Sequence, residues 1–152
     1  MKTFQIVLFL LMSGVCFSQA SLSEENAKQY IDVFFDGFHK QDTVKMRSVM
    51  VNNINMYTAY KSKIDGDKVS LYNGVGFLKM VASREEGVVW EERLLDYKIN
   101  IDGNLASVWT PYQFYINGEL SHCGANLFTL VATNDGWKIM TVVDSRRVKC
   151  DG

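Results

Sequence analysis

The sequence is poor in the residues that build metal sites and nucleic-acid surfaces. Its 152 residues include two histidines, three cysteines and one proline, and the net charge at neutral pH is −1. His39 and His122 are far apart in the chain and have no carboxylate cluster beside them, so we expect no metal site. The largest basic group is Arg146-Arg147 with Lys149, which is too small to hold a nucleic-acid backbone. We therefore expect neither a metal nor a nucleic acid as partner.

The motifs of the common enzyme classes are also missing. No Gly-x-Ser-x-Gly elbow occurs, and Gly74-x-Gly76 lacks the third glycine and the preceding βαβ unit of a dinucleotide loop. No repeat, low-complexity tract or interdomain linker divides the chain. The sequence therefore predicts a single domain and no cofactor.

The apolar run near the N-terminus is shorter than a membrane span, which needs about 20 apolar residues. Lys2 precedes an apolar run from Phe4 to Phe17, and small or polar residues follow at positions 18–20. This pattern is typical of a signal peptide, with cleavage after Ser18 or after Ala20. We predict a signal peptide over residues 1–20 and one exported domain over residues 21–152, periplasmic or secreted and free of the membrane after cleavage.

Three helices are predicted from periodicity and caps. Residues 21–41 carry apolar side chains at helical spacing, with Ser21 and Glu24 as a capping box. Asp42 has the position of an N-cap for a second, shorter helix, and residues 74–83 favour a third. The apolar face of the first helix comprises Ala27, Tyr30, Ile31, Phe34, Phe35 and Phe38.

Alternating apolar residues then predict strands over residues 55–63, 89–100, 105–116, 120–133 and 137–147. Turn sequences separate them, among them Asn117-Gly118 and residues 134–136, so the last strands form an antiparallel meander. Pro111 falls inside a strand, where it cannot donate to the ladder, so it predicts a bulge or an edge. The fold class is α+β, with a bent sheet.

This order of elements resembles the nuclear transport factor two-like superfamily, which includes ketosteroid isomerase-like and polyketide cyclase-like proteins. The resemblance covers nearly all of residues 21–152 and is carried by the Tyr30-to-Phe38 helix, Asp42 and residues 136–139. Residues 106–112, 121–124 and 144–147 resemble an exported bacterial branch often labelled lumazine-binding. The resemblance to the superfamily implies a cone-shaped curved antiparallel sheet wrapped on the N-terminal helices, with a pocket at the open end. Function varies widely on this fold, so the resemblance predicts no reaction.

The turns also predict strand register. A three-residue loop at 134–136 sets Thr133 opposite Trp137, and the pairing continues to Asn126 with Asp144 and Gly124 with Arg146. A two-residue turn at 117–118 similarly sets Gln113 opposite His122 and Trp109 opposite Asn126, provided that Pro111 does not shift the count. One face then gathers a candidate site of Trp109, Gln113, His122, Asn126, Asp144 and Arg146, with Tyr30 and Phe34 of the first helix as further ligand-binding candidates. The opposite face is more apolar and is the alternative candidate for the helix-packed core.

Two further expectations follow from the same strands. The register puts Cys123 opposite Arg147, three residues short of Cys150, so a disulfide is possible if the tail curls back but is not expected. Strand alternation lets one of Glu91 and Glu92 beside Arg93 point inward while the other faces out, but a solvated charge run is the expectation.

Three functions fit these residues. The leading hypothesis is a non-catalytic protein that binds a small apolar or amphipathic molecule, with a polar mouth above an apolar floor. The second is a lyase, isomerase or hydrolase in which His122 and Asp144 form an acid–base couple and Arg146 anchors an anionic group. A ketosteroid isomerase-like base is missing from residues 54–58. The third is an interaction module that forms a homodimer through an outer sheet face bearing Val108, Tyr112 and Phe114.

Overall fold

The computed structural model describes residues 21–150. The predicted signal peptide lies outside the described residues. Within them, no helix is long and apolar enough to cross a membrane.

The helices are α1 (Glu24–Lys40), α2 (Thr43–Ser48) and α3 (Gly74–Ala82). The N-cap of α1 is Ser23, whose Oγ accepts from the Asn26 N–H at 3.1 Å, so the capping box predicted at Ser21 is wrong by two residues. The predicted cap at Asp42 is confirmed, because its Oδ1 accepts from the Lys45 N–H at 2.9 Å. Gln41 adopts a left-handed φ of 62°, which ends α1, and Asp42 follows as the N-cap of α2, so two residues join the helices.

The strands are β1 (Met50–Ser62), β2 (Gly66–Asn73), β3 (Trp90–Leu94), β4 (Lys98–Asp102), β5 (Leu105–Ile116), β6 (Glu119–Thr133) and β7 (Gly136–Arg147). They form one sheet in the order β2-β1-β7-β6-β5-β3, with β4 also on β5. Among the strand pairs within residues 21–150, only β1–β7 is parallel. The predicted α+β class, with a curved sheet wrapped on N-terminal helices, is confirmed.

Two features of the sheet differ from the prediction. Strand β2 was not expected, because most of its residues are exposed and show no apolar alternation. The single strand predicted over 89–100 is instead β3 and β4, which pair with different halves of β5.

Pro111 lies where β5 changes its partner from β4 to β3. Its carbonyl accepts from the Leu95 N–H at 2.9 Å, and its missing N–H falls in the gap between β3 and β4. It creates neither a bulge nor an edge.

The core lies between α1 and the concave face of the sheet. Phe34, Phe35 and Phe38 of α1 are buried there, and Phe34 and Phe35 both pack edge-on against Phe128 of β6. The interaction-module hypothesis placed Val108, Tyr112 and Phe114 on the outer face. All three are buried in this core instead, at 8% exposure or less, so they are unavailable for a dimer contact. The chain thus uses its aromatic residues to line the inside of the sheet.

The C-terminal tail also differs from the prediction. Cys123 and Cys150 form a disulfide with a Cα–Cα distance of 5.7 Å. The register of Cys123 opposite Arg147 is as predicted, but the tail curls back after β7, and the Cys123 side chain lies close to the carbonyls of Arg147 and Lys149. The disulfide, which the register made possible but not expected, is therefore present.

Candidate functional site

A cavity of about 360 Å³ opens between α1, α3 and the concave face of the sheet. Its walls are mostly aromatic, because the apolar stripe of α1 faces the inward residues of β5 and β6. Phe77 of α3 stacks nearly parallel to both Phe34 and Phe38, with ring centroids 6.2 Å apart in each pair. The apolar lining comprises Phe34, Phe35, Phe38, Met56, Phe77, Met80, Trp90, Phe114, Ile116, Phe128 and Val142.

The carboxyl group of Glu92 lies among these apolar side chains on the cavity wall. On β3, Glu91 and Glu92 point to opposite faces. Glu91 turns outward, where Arg93 donates two hydrogen bonds of 2.8 Å to its carboxylate. Glu92 turns inward, lines the cavity and accepts a 2.7 Å hydrogen bond from Asn126 Nδ2. The expectation of a solvated charge run is therefore right for Glu91 and wrong for Glu92.

The surroundings of Glu92 favour its neutral form. Burial raises the pKa of the Glu92 carboxyl to about 8, and the neighbouring negative charge of Asp144 acts in the same direction. The hydrogen bond from Asn126 and the positive charge of Arg146 oppose this shift only in part. At pH 7 most Glu92 side chains are consequently protonated and can donate a hydrogen bond.

Asp144 is held by several partners at the same end of the cavity. Thr58 donates its hydroxyl to Oδ1, and the Tyr112 hydroxyl donates to Oδ2 at 3.1 Å. Arg146 Nε lies 3.7 Å from Oδ2. Burial, followed by the charge of Asp144, raises the pKa of Tyr112, so the phenol stays protonated as a donor. Asp144 is thus an anchored acceptor, with one oxygen engaged by Thr58 and the other by Tyr112 and Arg146.

His122 also lines the cavity, packed against Phe114 with ring centroids 4.8 Å apart. Burial, aided by the positive charge of Arg146, lowers the pKa of His122 to about 4, so the imidazole is neutral at pH 7. Its Nδ1 is 3.1 Å from Ser121 Oγ. Asp144 pairs with Asn126, four residues along β6 from His122, and no hydrogen bond joins His122 to Asp144. The two residues share a cavity but do not form a bonded acid–base couple.

The register between β6 and β7 determines which of the predicted site residues lie together in the cavity. The pairs Asn126–Asp144 and Gly124–Arg146 are confirmed. Thr133 pairs with Gly136 rather than Trp137, and a bulge between Thr129 and Leu130 restores the predicted register farther along. Asn126, Asp144 and Arg146 accordingly line the cavity together with His122 and Phe34. Their roles in binding or catalysis stay predictions.

The register predicted between β5 and β6 is wrong by one residue. A bulge at Ser121 sets Phe114 opposite His122, so Gln113 faces Cys123 and Trp109 faces Leu127. Gln113 and Trp109 therefore lie on the outer face, where 42% of Trp109 is exposed. Tyr30 lies away from the cavity as well, in a separate groove beside Val33 and Trp137.

Sequence reasoning missed Glu92, Tyr112 and Thr58 as site residues. No turn motif in the sequence signals the bulge at Ser121. This bulge places Tyr112 and Phe114 on the inner face of the sheet. Glu92 could have been found, because it lies on the same cross-strand row as Phe114 and His122 once the bulge is known. Across residues 21–150, no group of three or more histidine, cysteine or carboxylate side chains could hold a metal ion.

Comparison with known proteins identifies the class of fold. No protein-family model matches the sequence, and no curated protein matches it. Solved structures do match: the predicted resemblance to the nuclear transport factor two-like (NTF2-like) superfamily is confirmed at the level of the fold, and this chain has the NTF2-like fold. Sequence identity to the structures named below is 15% or less, so the likeness concerns the fold alone.

Three of these structures match this chain over 90% or more of their own length. An NTF2-like protein of unknown function from Shewanella baltica is 12% identical, with a TM-score of 0.59 over 84% of this chain and 99% of its own. A proposed dehydratase of the NTF2-like family from Streptomyces avermitilis is 15% identical, with a TM-score of 0.61 over 82% and 96%. The beta subunit of a proposed aromatic-ring-hydroxylating dioxygenase from Novosphingobium aromaticivorans is 9% identical, with a TM-score of 0.62 over 83% and 90%.

Proposed function

We propose that this protein binds a small apolar or amphipathic molecule in the cavity between α1, α3 and the sheet. The observation that carries the proposal is the composition of the cavity, whose aromatic walls end in a small set of polar groups. Burying apolar ligand surface against such walls contributes roughly 25 cal/mol per Å² before the costs of association. A ligand's polar atoms would meet Glu92, Asn126 and Arg146 at one end. Binding pockets for small molecules commonly combine these two features.

A blocked cavity should lose binding. Met80 lines the mouth of the cavity and is 43% exposed, so the larger side chain in Met80→Trp can enter the opening without replacing a core residue. We expect the wild-type protein to bind the uncharged fluorophore N-phenylnaphthylamine with one-to-one stoichiometry, measured by its fluorescence increase. Met80→Trp should weaken this binding by about tenfold or more, which corresponds to roughly 1.4 kcal/mol.

The matched control is Lys79→Trp, one residue earlier on α3, where the side chain is exposed and does not line this cavity. Its affinity should equal that of the wild type. Equal affinity of all three proteins would mean that the fluorophore binds elsewhere, and no binding to the wild type would contradict the proposal.

The geometry gives less support to an enzyme that uses His122 and Asp144. His122 is neutral and hydrogen-bonded to Ser121, and Asp144 is engaged by Thr58, Tyr112 and Arg146. A general base and its partner need hydrogen-bond reach of each other or of one reacting atom. The proposed dehydratase with the same fold leaves catalysis as the second candidate.

Export is part of the same proposal. The disulfide between Cys123 and Cys150 supports it, because such bonds persist mainly in oxidising compartments. The apolar N-terminal run supports it as well. Recovery of the protein in the periplasmic or secreted fraction, shortened by about the predicted signal peptide, tests this part of the proposal.

We also propose a homodimer through the outer sheet face, supported by a different set of residues from the one predicted. Trp109, Leu127, Val143, Tyr57 and Leu71 are register partners in succession and form one apolar row across five strands. Trp109, Val143 and Leu71 are 42%, 37% and 60% exposed. Contiguous apolar surface of this kind often marks a protein interface.

A charge placed in this row should prevent the dimer. Trp109→Arg is expected to weaken self-association by about 30-fold or more, as for an aromatic interface residue, in sedimentation equilibrium. Val44→Arg on α2, at a position that is 78% exposed, is the control and should dimerise like the wild type. A monomeric wild-type protein at high concentration would refute the dimer without affecting the cavity.

A further inference from the structure

Glu92 has hydrogen-bonding capacity that the protein does not use. Among residues 21–150, Asn126 is the one hydrogen-bond partner of its side chain, and this bond engages Oε1 alone. Glu92 nevertheless lines the cavity, so its second carboxyl oxygen is available there. A protonated carboxyl group carries one O–H donor in addition to its acceptor oxygens. An unmatched donor in an apolar wall favours a ligand that accepts a hydrogen bond.

The polar end of the cavity carries no net charge when Glu92 is protonated. Asp144 and Arg146 have opposite charges with their closest atoms 3.7 Å apart. His122 is neutral, since its lowered pKa of about 4 lies well below pH 7. An anionic ligand would lose its hydration without finding a free counter-charge, because Arg146 is already paired with Asp144. A cationic ligand would require Glu92 to ionise in an apolar wall.

We propose that Glu92 is the specificity-determining residue of the cavity, donating a hydrogen bond to an uncharged ligand that combines a ring-containing apolar body with a carbonyl-type acceptor. The proposal rests on the binding function proposed above and names the class of ligand. The ring body packs against Phe34, Phe77 and Phe128, while the acceptor reaches Glu92 on the β3 side. Asn126 holds the carboxyl group in place.

A matched series of small probes separates the contributions of shape and charge. Acetophenone has the acceptor, α-methylstyrene replaces the carbonyl oxygen with a methylene group, benzoate adds a negative charge, and α-phenylethylammonium adds a positive one. By calorimetry at pH 6, we expect acetophenone to bind about tenfold more tightly than α-methylstyrene, because one buried hydrogen bond changes affinity by about this factor. Benzoate and the ammonium ion should bind more weakly than acetophenone.

Two substitutions assign the preference to Glu92. Glu92→Leu should abolish the preference for acetophenone over α-methylstyrene. Glu92→Gln can accept from Asn126 and still donate an N–H that does not titrate. Above pH 8 Glu92 ionises, near Asp144, Arg146, Tyr112 and His122, and can no longer donate, so the wild type should lose the preference for acetophenone. Glu92→Gln should keep the preference at this pH. Glu91→Gln, on the outward neighbour, should behave like the wild type.

The outcomes distinguish the two proposals. If α-methylstyrene binds and acetophenone binds no tighter, the cavity binds ligands but Glu92 does not select them. A preference that persists in Glu92→Leu, or tighter binding of benzoate or the ammonium ion, would overturn the selectivity in the same way. If none of the four probes binds, the proposed binding function and the selectivity fail together.

Discussion

Replacing Glu92 with glutamine should stabilise the protein at neutral pH, by on the order of 3 kcal/mol at pH 7. Burial raises the pKa of the Glu92 carboxyl from 4.5 to about 8 in the folded protein. Between these values the unfolded chain releases the proton and the folded protein retains it, so the wild type loses stability as pH rises. Glutamine does not titrate, and its amide oxygen can still accept from Asn126.

The sign of this effect gives it a distinct pH profile. Below pH 4.5 the carboxyl group is protonated in both states, so wild type and Glu92→Gln should unfold at similar denaturant concentrations. The difference should grow through pH 7 and level off above pH 8. Glu91→Gln is the control, because Glu91 is on the outer face with Arg93, and it should show no such rise. A wild-type protein that gains stability from pH 5 to pH 8 relative to Glu92→Gln would contradict the burial of a neutral acid.

The second large effect is expected at Gly124, where Gly124→Ala should cost at least about 3 kcal/mol of unfolding free energy. A Cβ there would lie 1.7 Å from the Ser145 carbonyl oxygen and 2.8 Å from Cε1 of Tyr112. Backbone and a buried ring would both have to move. Because Tyr112 donates to Asp144, the same displacement should disturb the polar end of the cavity.

Gly76→Ala is the control for Gly124→Ala. A Cβ at Gly76 would have Asn73 Oδ1 as its nearest neighbour at 3.3 Å, and the position lies in α3, where alanine is favoured over glycine. Chemical denaturation should place this variant within about 1 kcal/mol of the wild type. An equally small effect for Gly124→Ala would show that β6 and β7 are not packed as closely as described.

The fold followed from strong local patterns. The stripe from Ala27 to Phe38 has the period of one helix face, and Asp42 has the side chain of an N-cap, so the helix pair was predicted with small errors at its ends. The meander followed from turn sequences that require left-handed residues, and Asn117 has a φ of 52° at one of them. These signals lie within a few residues of each other and need no tertiary information.

The site depended on features that have no local signal. One unpaired residue at Ser121 transfers Trp109 and Gln113 to the outer face and brings Tyr112 and Phe114 inside, because strand side chains alternate. The inward position of Glu92 depends on how β3 pairs with β5. The disulfide depends on a tail that turns back after the last strand. Between β6 and β7, the error at the turn was cancelled by a bulge, which is why Asn126 and Asp144 were paired correctly.

The central claim is that the aromatic cavity beneath α1 is a ligand site, and a crystal structure with bound N-phenylnaphthylamine tests it most directly. We expect density for the fluorophore between Phe34 and Phe128, with one end toward Glu92 and Asn126. Density confined to the outer sheet face, with side chains filling the cavity, would contradict the claim.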